Sequence, residues 1–227
     1  MGLEIAFDTE TTGLSPDRHR IIELGACVIL RNGYGEEQKY HQYINPQRAI
    51  DPEAEKVHGL SRAFLSDYPL FSEVVDDFLS FVTGHTLVIH NAPFDVGFMD
   101  AELLRCGKRP LKDYCHIVDS LPLARKMYPG QKNSLDHLCK RFGLDISHRT
   151  LHGALKDADL LSQVFQNLTT QQGEWSTIEH KTSSSKQNEV IQFPDAIANI
   201  MSASEQENAV HQAFVKDVLN TDPLLWS

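Results

Sequence analysis

Apolar and polar residues alternate along LEIAFDTE, which puts Leu3, Ile5 and Phe7 on one side of an extended chain and Glu4, Ala6, Asp8 and Glu10 on the other. This period of two predicts a strand with one apolar face and one face carrying Asp8 and Glu10 together. The strand runs into Thr11-Thr12-Gly13, a loop of hydroxyls and free backbone. Next, RIIELGACVILR (20–31) is rich in Ile and Val and predicts a second strand. Asn32-Gly33-Tyr34-Gly35 predicts a turn, because Asn-Gly supplies the positive φ of a hairpin, and residues 39–44 form the returning strand. Three antiparallel strands in succession result.

Beyond Asn45-Pro46 the period changes. Asp51-Pro52-Glu53 opens a short helix with Pro just inside its start. Residues 71, 74, 75, 78, 79 and 82 are apolar, the stripe of an amphipathic helix over 71–82. Residues 87–90 form a short buried strand, and Asn91 and Pro93 start a helix that reaches about Arg105. A strand over 114–118 follows, then helices over 119–127, 134–142 and 153–168, the second closed by Gly143. A hairpin followed by β-α-β-α predicts an α/β fold, a mixed sheet with helices packed on its faces.

From about Gln171 the periodicity lapses, and Thr182-Ser183-Ser184-Ser185-Lys186-Gln187 is polar throughout. The chain therefore divides into a domain over 1–172, a flexible linker over 173–203 and a terminal segment over 204–227. In that last segment Ser204-x-x-Glu207 is a capping box ahead of Val210, Phe214 and Val218 at i+4 spacing. A short amphipathic helix there either docks on a partner or folds back on the domain.

Composition narrows the class. The 227 residues suffice for one sizeable core and an appendage. No apolar run approaches a membrane span, and the first residues lack the basic and apolar regions of a leader. Cys27, Cys106, Cys115 and Cys139 form no CxxC pair, the pattern of reduced thiols in a cytoplasmic protein. The net charge of −10 excludes a broad basic nucleic-acid face; Lys+Arg against Asp+Glu is 18 to 23 over 1–172 and 3 to 8 over 173–227. A chain this acidic holds a polynucleotide weakly unless metal ions or a partner help it.

Two carboxylates at i and i+2 on one strand face grip a divalent cation from the same side, although a half-solvated edge strand shows the same pattern. Asp95 stands in the first turn of a helix just after a buried strand, where ligands gather in α/β sheets; the helix dipole favours an Asp there in any case. Asp157 is sharper. It lies on the core stripe of its helix with Leu161, Val164 and Leu168, while Asp159 points nearly opposite. A carboxylate on a core-facing stripe is costly to bury unless paired or bound to a cation. His152 and Gly153 precede this helix. Oxygen ligands select hard cations such as Mg²⁺ or Mn²⁺. Two such ions about 4 Å apart serve an in-line displacement at a phosphodiester, and histidine as a residue type takes protons near neutral pH. HExxH, P-loop and GxSxG patterns are absent from the sequence.

Three stretches together, Asp8-Thr9-Glu10-Thr11-Thr12-Gly13, Asn91-Ala92-Pro93-Phe94-Asp95 and His152-Gly153-Ala154-Leu155-Lys156-Asp157-Ala158, resemble in order and spacing the motifs of the DEDDh 3′→5′ exonucleases. Asp51-Pro52-Glu53-Ala54 with His58-Gly59, Asp119-Ser120-Leu121, Ala124-Arg125-Lys126-Met127 and Asn133-Ser134-Leu135-Asp136 narrow the similarity to the proofreading (epsilon) branch of bacterial DNA polymerase III. The resemblance covers about residues 1–170 well and the tail loosely. It implies an RNase H-like mixed five-stranded sheet and two divalent cations, Mg²⁺ or Mn²⁺. It further implies that Asp8 bridges both ions, that Glu10 and Asp157 hold the ion activating the water, that Asp95 contributes to the metal site and that His152 is the general base. Thr11, Gly13, Leu14, Val57, His58, Asn91 and Phe94 would line the pocket for the terminal nucleotide, alongside Asp8, Glu10 and Asp157.

For partners, the resemblance implies a DNA 3′ end and the polymerase catalytic (alpha) subunit, reached through the C-terminal segment. It admits a small theta-like subunit and the sliding clamp. Gln172-Gly173-Glu174-Trp175 matches a clamp-binding peptide only in part, lacking the second aromatic. Tethering to a polymerase answers the charge problem by raising the local concentration of primer ends. The expected function is removal of mispaired 3′-terminal nucleotides. A related exoribonuclease trimming RNA ends and a non-catalytic scaffold are the competing readings; a scaffold is expected to have lost one of the five site residues, and all five are present.

Overall fold

The computed structural model describes residues 2–30, 37–146 and 151–184, the last fourteen as helical backbone alone. Five strands form one sheet in the order β3-β2-β1-β4-β5: β1 Glu4–Thr11, β2 Ile21–Val28, β3 Lys39–Tyr43, β4 Thr86–Ile89 and β5 His116–Asp119. β1 pairs antiparallel with β2, β2 antiparallel with β3, and β1 with β4 and β4 with β5 in parallel. The sheet is mixed, as the hairpin followed by β-α-β-α predicts. The Asn32–Gly35 turn lies outside the described residues.

Helices α1 Pro52–His58, α2 Arg62–Leu65, α3 Phe71–Val82, α4 Ala92–Arg105, α5 Ser120–Met127, α6 Leu135–Arg141 and α7 Ala154–Ser184 complete the fold. The stripe of α3 buries Phe71, Val74, Val75, Phe78, Leu79 and Val82 against Ile5, Phe7, Leu24, Leu87 and Ile89, with α4 beside it. On the other face, Ala6, Cys27, Ile29 and Val88 pack under Ala158, Leu161 and Phe165 of α7. Val164 and Leu168 of α7 meet Ala124, Leu138 and Cys139 of α5 and α6.

Two expectations need correction. β1 does not have a single apolar face, because Ala6, between Glu4 and Asp8 on the acidic side, is fully buried beneath α7. The helix expected to end near Leu168 continues as backbone to Ser184, into the first part of the expected linker. Gln, Glu and Lys are good helix formers, so a missing apolar stripe removes the partner face without removing the helix. The remaining linker and the 204–227 segment lie outside the described residues. No helix among the described residues is long and apolar enough to cross a membrane.

Candidate active site

β1 outruns β4. The parallel pairing stops at Ala6 with Val88, so Asp8–Thr11 project past the end of β4 with β2 alone alongside. There the chain leaves β4 through Asn91, which adopts the left-handed conformation (φ 71°) and donates its amide to Asp119 Oδ1 at 3.0 Å. Asn is one of the few residues that enters this region at low cost. The turn launches α4 so that Asp95, in its first turn, faces β1. Its Oδ1 accepts from the Thr9 amide at 3.1 Å and from Thr9 Oγ1 at 2.7 Å, the amide being one that no strand takes up on that side. Asp95 is 4% exposed. Burial pushes its carboxyl up to about 7, with the Asp119 charge adding and the Thr9 bonds opposing.

From the other face comes α7. Its start rests on Gly25 of β2, the register partner of Asp8. A Cβ at Gly25 would stand 2.1 Å from both Ala154 C and Leu155 N, so only glycine lets the helix seat this closely. Asp157, one turn in, is 3% exposed, whereas Asp159 pairs at the surface with Lys39 at 3.1 Å, the split that the helical stripe predicts. His152 is held by its amide on the Val57 carbonyl at 3.0 Å, and its Nδ1 lies 3.2 Å from Asp157 Oδ2. Glu10 completes the group. Ligand atoms of Glu10, His152 and Asp157 all lie within 4.8 Å of one another. A register shift in β1 falls between Glu10 and Thr11, a type of irregularity that re-aims side chains next to active sites.

Beside this cluster opens a cleft of about 630 Å³. Of the residues assigned to a nucleotide pocket, Glu10, Thr11, Gly13, Leu14, Val57, His58 and Phe94 line it. Asn91 does not; its place is the turn into α4. Asp8 and Asp157 also lie outside the lining, so Glu10 alone belongs to both cleft and cluster. Leu14 stands 84% exposed at the rim. His58 is buried, its Nδ1 accepting from the Leu60 amide at 2.9 Å, and Nε2 meets no partner of hydrogen-bond geometry among the described residues. Burial lowers its pKa, with the Thr11 backbone opposing.

Thr9, Asp51, Pro52, Glu53 and Ala54 also line the cleft and were missed. A signal for one of them was available: Ala54 shares with Val57 and His58 the i, i+3, i+4 face of α1.

Against known proteins, residues 5–165 match the exonuclease family (RNase_T). The DNA polymerase III subunit epsilon of Salmonella typhimurium is 44% identical over 222 residues, covering 92% of this chain and 90% of that protein. This chain belongs to the exonuclease family, in its polymerase III epsilon branch. The Rickettsia typhi epsilon subunit is 50% identical over 169 residues, 73% of each chain. Exonuclease X, solved with 5′-overhanging duplex DNA, superposes with a TM-score of 0.59 at 24% identity over 75% of this chain and 93% of its own, a likeness of fold. The family carries a divalent-metal chemistry, and the acidic cluster stands at the C-terminal end of β1, the central strand of the sheet.

Proposed function

We propose that this chain is a 3′→5′ exonuclease that removes mispaired 3′-terminal nucleotides from DNA as 5′-monophosphates, the proofreading subunit of a bacterial, cytoplasmic DNA polymerase III. The observation that carries this reading is the sharing of Glu10 between the cleft and the Glu10–His152–Asp157 cluster. A nucleotide seated in the cleft would present its phosphate to the carboxylates.

The donor set fits divalent cations. It offers the oxygens of Glu10 and Asp157 close together, with Asp8 and Glu10 at i and i+2 on one strand face, and oxygen-rich sites of this kind suit Mg²⁺ or Mn²⁺. Asp8, Glu10 and Asp157 would hold two ions, with Asp95 contributing from α4. Bound there, such ions supply an activated water and stabilise the leaving oxygen. A dication beside Asp95 would also favour its charged form against the burial that raises it. His152, which keeps an exposed face and has a carboxylate at its Nδ1, would take the water's proton as general base. Thr11, Gly13, Leu14, Val57, His58 and Phe94 would enclose the terminal nucleoside. Discrimination needs no reading of bases, because a mismatched end frays and only an unpaired strand enters a single-strand pocket. The 204–227 segment would tether the nuclease to the catalytic (alpha) subunit.

The deciding measurement is Mg²⁺-dependent mononucleotide release from a 3′-mismatched DNA primer and from RNA of the same sequence. Release should favour DNA, and His152→Ala should lower kcat by about 10²–10⁴-fold, the usual worth of a general base, with Asp8→Ala also inactive. A preference for RNA would replace the reading with RNA-end trimming.

A further inference from the structure

Residues 125–141 are the exception in an acidic chain. They carry Arg125, Lys126, Lys132, Lys140 and Arg141 against the single carboxylate Asp136, a net of +4 within a total of −10. Arg125, Lys126, Lys132 and Lys140 are exposed. The segment runs from the last turn of α5 through a loop into α6, and that loop is held in place. The Arg141 guanidinium lies 4.3 Å over the Tyr128 ring and donates to Gln131 Oε1 at 2.9 Å, Lys132 O at 3.1 Å and Asn133 Oδ1 at 3.2 Å.

The loop is also tied to the end of β4, the inner strand next to β1, and β1 bears Asp8 and Glu10. Asn133 O accepts from His90 Nε2 at 2.8 Å, and the Arg125 charge reaches His90, whose pKa it helps to lower. His90 directly precedes the Asn91 turn and the helix that delivers Asp95 to β1. None of these cations lines the cleft. A cationic loop is thus fixed to the strand end from which the Asn91 turn and the helix carrying Asp95 start, and its cations lie outside the lining of the cleft. Exposed lysines recognise a nucleic-acid strand through its phosphates, whatever its sequence.

We propose that Lys126 and Lys132, with Arg125 and Lys140 beside them, hold the phosphate backbone of the single strand whose 3′-terminal nucleotide occupies the cleft. The proposal rests on reading the chain as a nuclease. It assigns strand affinity to a segment separate from the residues that cut, and it explains how an acidic chain keeps a polyanion on its active face.

The test uses the full chain carrying Lys126→Gln and Lys132→Gln together, two exposed positions where neutral substitution leaves the core untouched. Substrates are a single-stranded oligonucleotide and the p-nitrophenyl ester of thymidine 5′-monophosphate, which has no strand behind the reacting phosphate. Near 0.1 M salt each lost phosphate contact weakens single-strand binding about 5-fold, so KM for the oligonucleotide should rise about 25-fold with kcat kept, and the salt slope of log(kcat/KM) should flatten by about 1.4. The ester's kinetics should not change. Equal losses on both substrates would overturn the proposal, as would an unchanged oligonucleotide KM. Anisotropy of a labelled oligonucleotide in Ca²⁺ reads the contact without hydrolysis. If the unaltered chain cleaves neither substrate, the nuclease reading fails, while the anisotropy still decides the lysines' role. Unchanged strand affinity with weakened binding to the polymerase catalytic subunit would make the segment a protein interface and refute the proposal.

Discussion

At the scale of single residues, burial decides what the titratable groups near the site can do. His90 bridges Ser120 Oγ and the Asn133 carbonyl, both at 2.8 Å. Because a carbonyl only accepts, the ring proton sits on Nε2. Burial chiefly, helped by Arg125, lowers its pKa, against the Asn133 bond and the Asp119 charge. In the unfolded chain a histidine titrates at about 6.5. Just below that pH the unfolded chain binds the proton that folded His90 refuses, so stability rises with pH through this window and falls as pH drops. Thermal melts without added metal at pH 5 and pH 7.5 should show a gap that narrows in His90→Gln. A gap of the same size would mean that His90 does not supply it. Much of this scale was legible beforehand: Asp157 stood out as the carboxylate on a core stripe, and it is buried while Asp159 pairs at the surface. The bonds from Thr9 to Asp95 were not legible, since 86 residues separate the partners.

Among elements, close contacts place the chemistry. At Gly25 the backbone of α7 occupies the space of a side chain. Gly25→Ala must push α7 off β2, moving Asp157 and His152 away from Glu10. Overpacking of this kind costs about 1–3 kcal/mol. Nuclease activity should fall by roughly 100-fold, the usual effect of a misplacement near 1 Å. An alanine variant that melts lower yet cuts normally would show that the cluster tolerates the shift. A second junction joins the start of β2 to α4. Arg20 donates from Nε and Nη2 to the two oxygens of Glu102 at 2.6 and 2.8 Å, and Glu102, fully buried, also accepts from the Ile21 amide. Removing one partner of a buried pair costs about 3–5 kcal/mol because the remaining charge stays in the interior. Arg20→Ala should therefore lower the urea midpoint with little change in m. A loss below about 1 kcal/mol would indicate that Arg105, 3.5 Å from Glu102, takes over. The element types themselves followed from periodicity, with α3 and α4 found where their stripes and Pro93 put them.

For the molecule as a whole, an acidic chain of −10 cuts a polyanion. It manages this if the carboxylates are screened by cations at the end of the central strand β1 and the primer end is delivered by a partner. If the 204–227 segment carries the proposed contact with the polymerase catalytic subunit, a chain ending at Ser184 should hydrolyse the mononucleotide ester as the full chain does, and should lose both co-elution with that subunit and any gain in kcat/KM on a mismatched primer that its presence brings. Retained co-elution would move the partner contact into residues 1–184.

The amino-acid order by itself determined that β1 is a strand, the stripe of α3, the punctuation at Pro52, Pro93 and Gly143, and the three acidic stretches whose spacing belongs to a known nuclease family. All of these are local or periodic, and a strand or helix shows them within about a dozen residues. Tertiary structure decided the rest. It joined Glu10 to both cleft and cluster, set Asn91 in the turn into α4 outside the lining of the cleft, brought Asp51–Ala54 to the cleft, and set the Arg125–Arg141 loop on His90. Each of these depends on contacts between residues far apart in the chain, which form only when the sheet order and the seat of α7 on Gly25 fix how the elements pack.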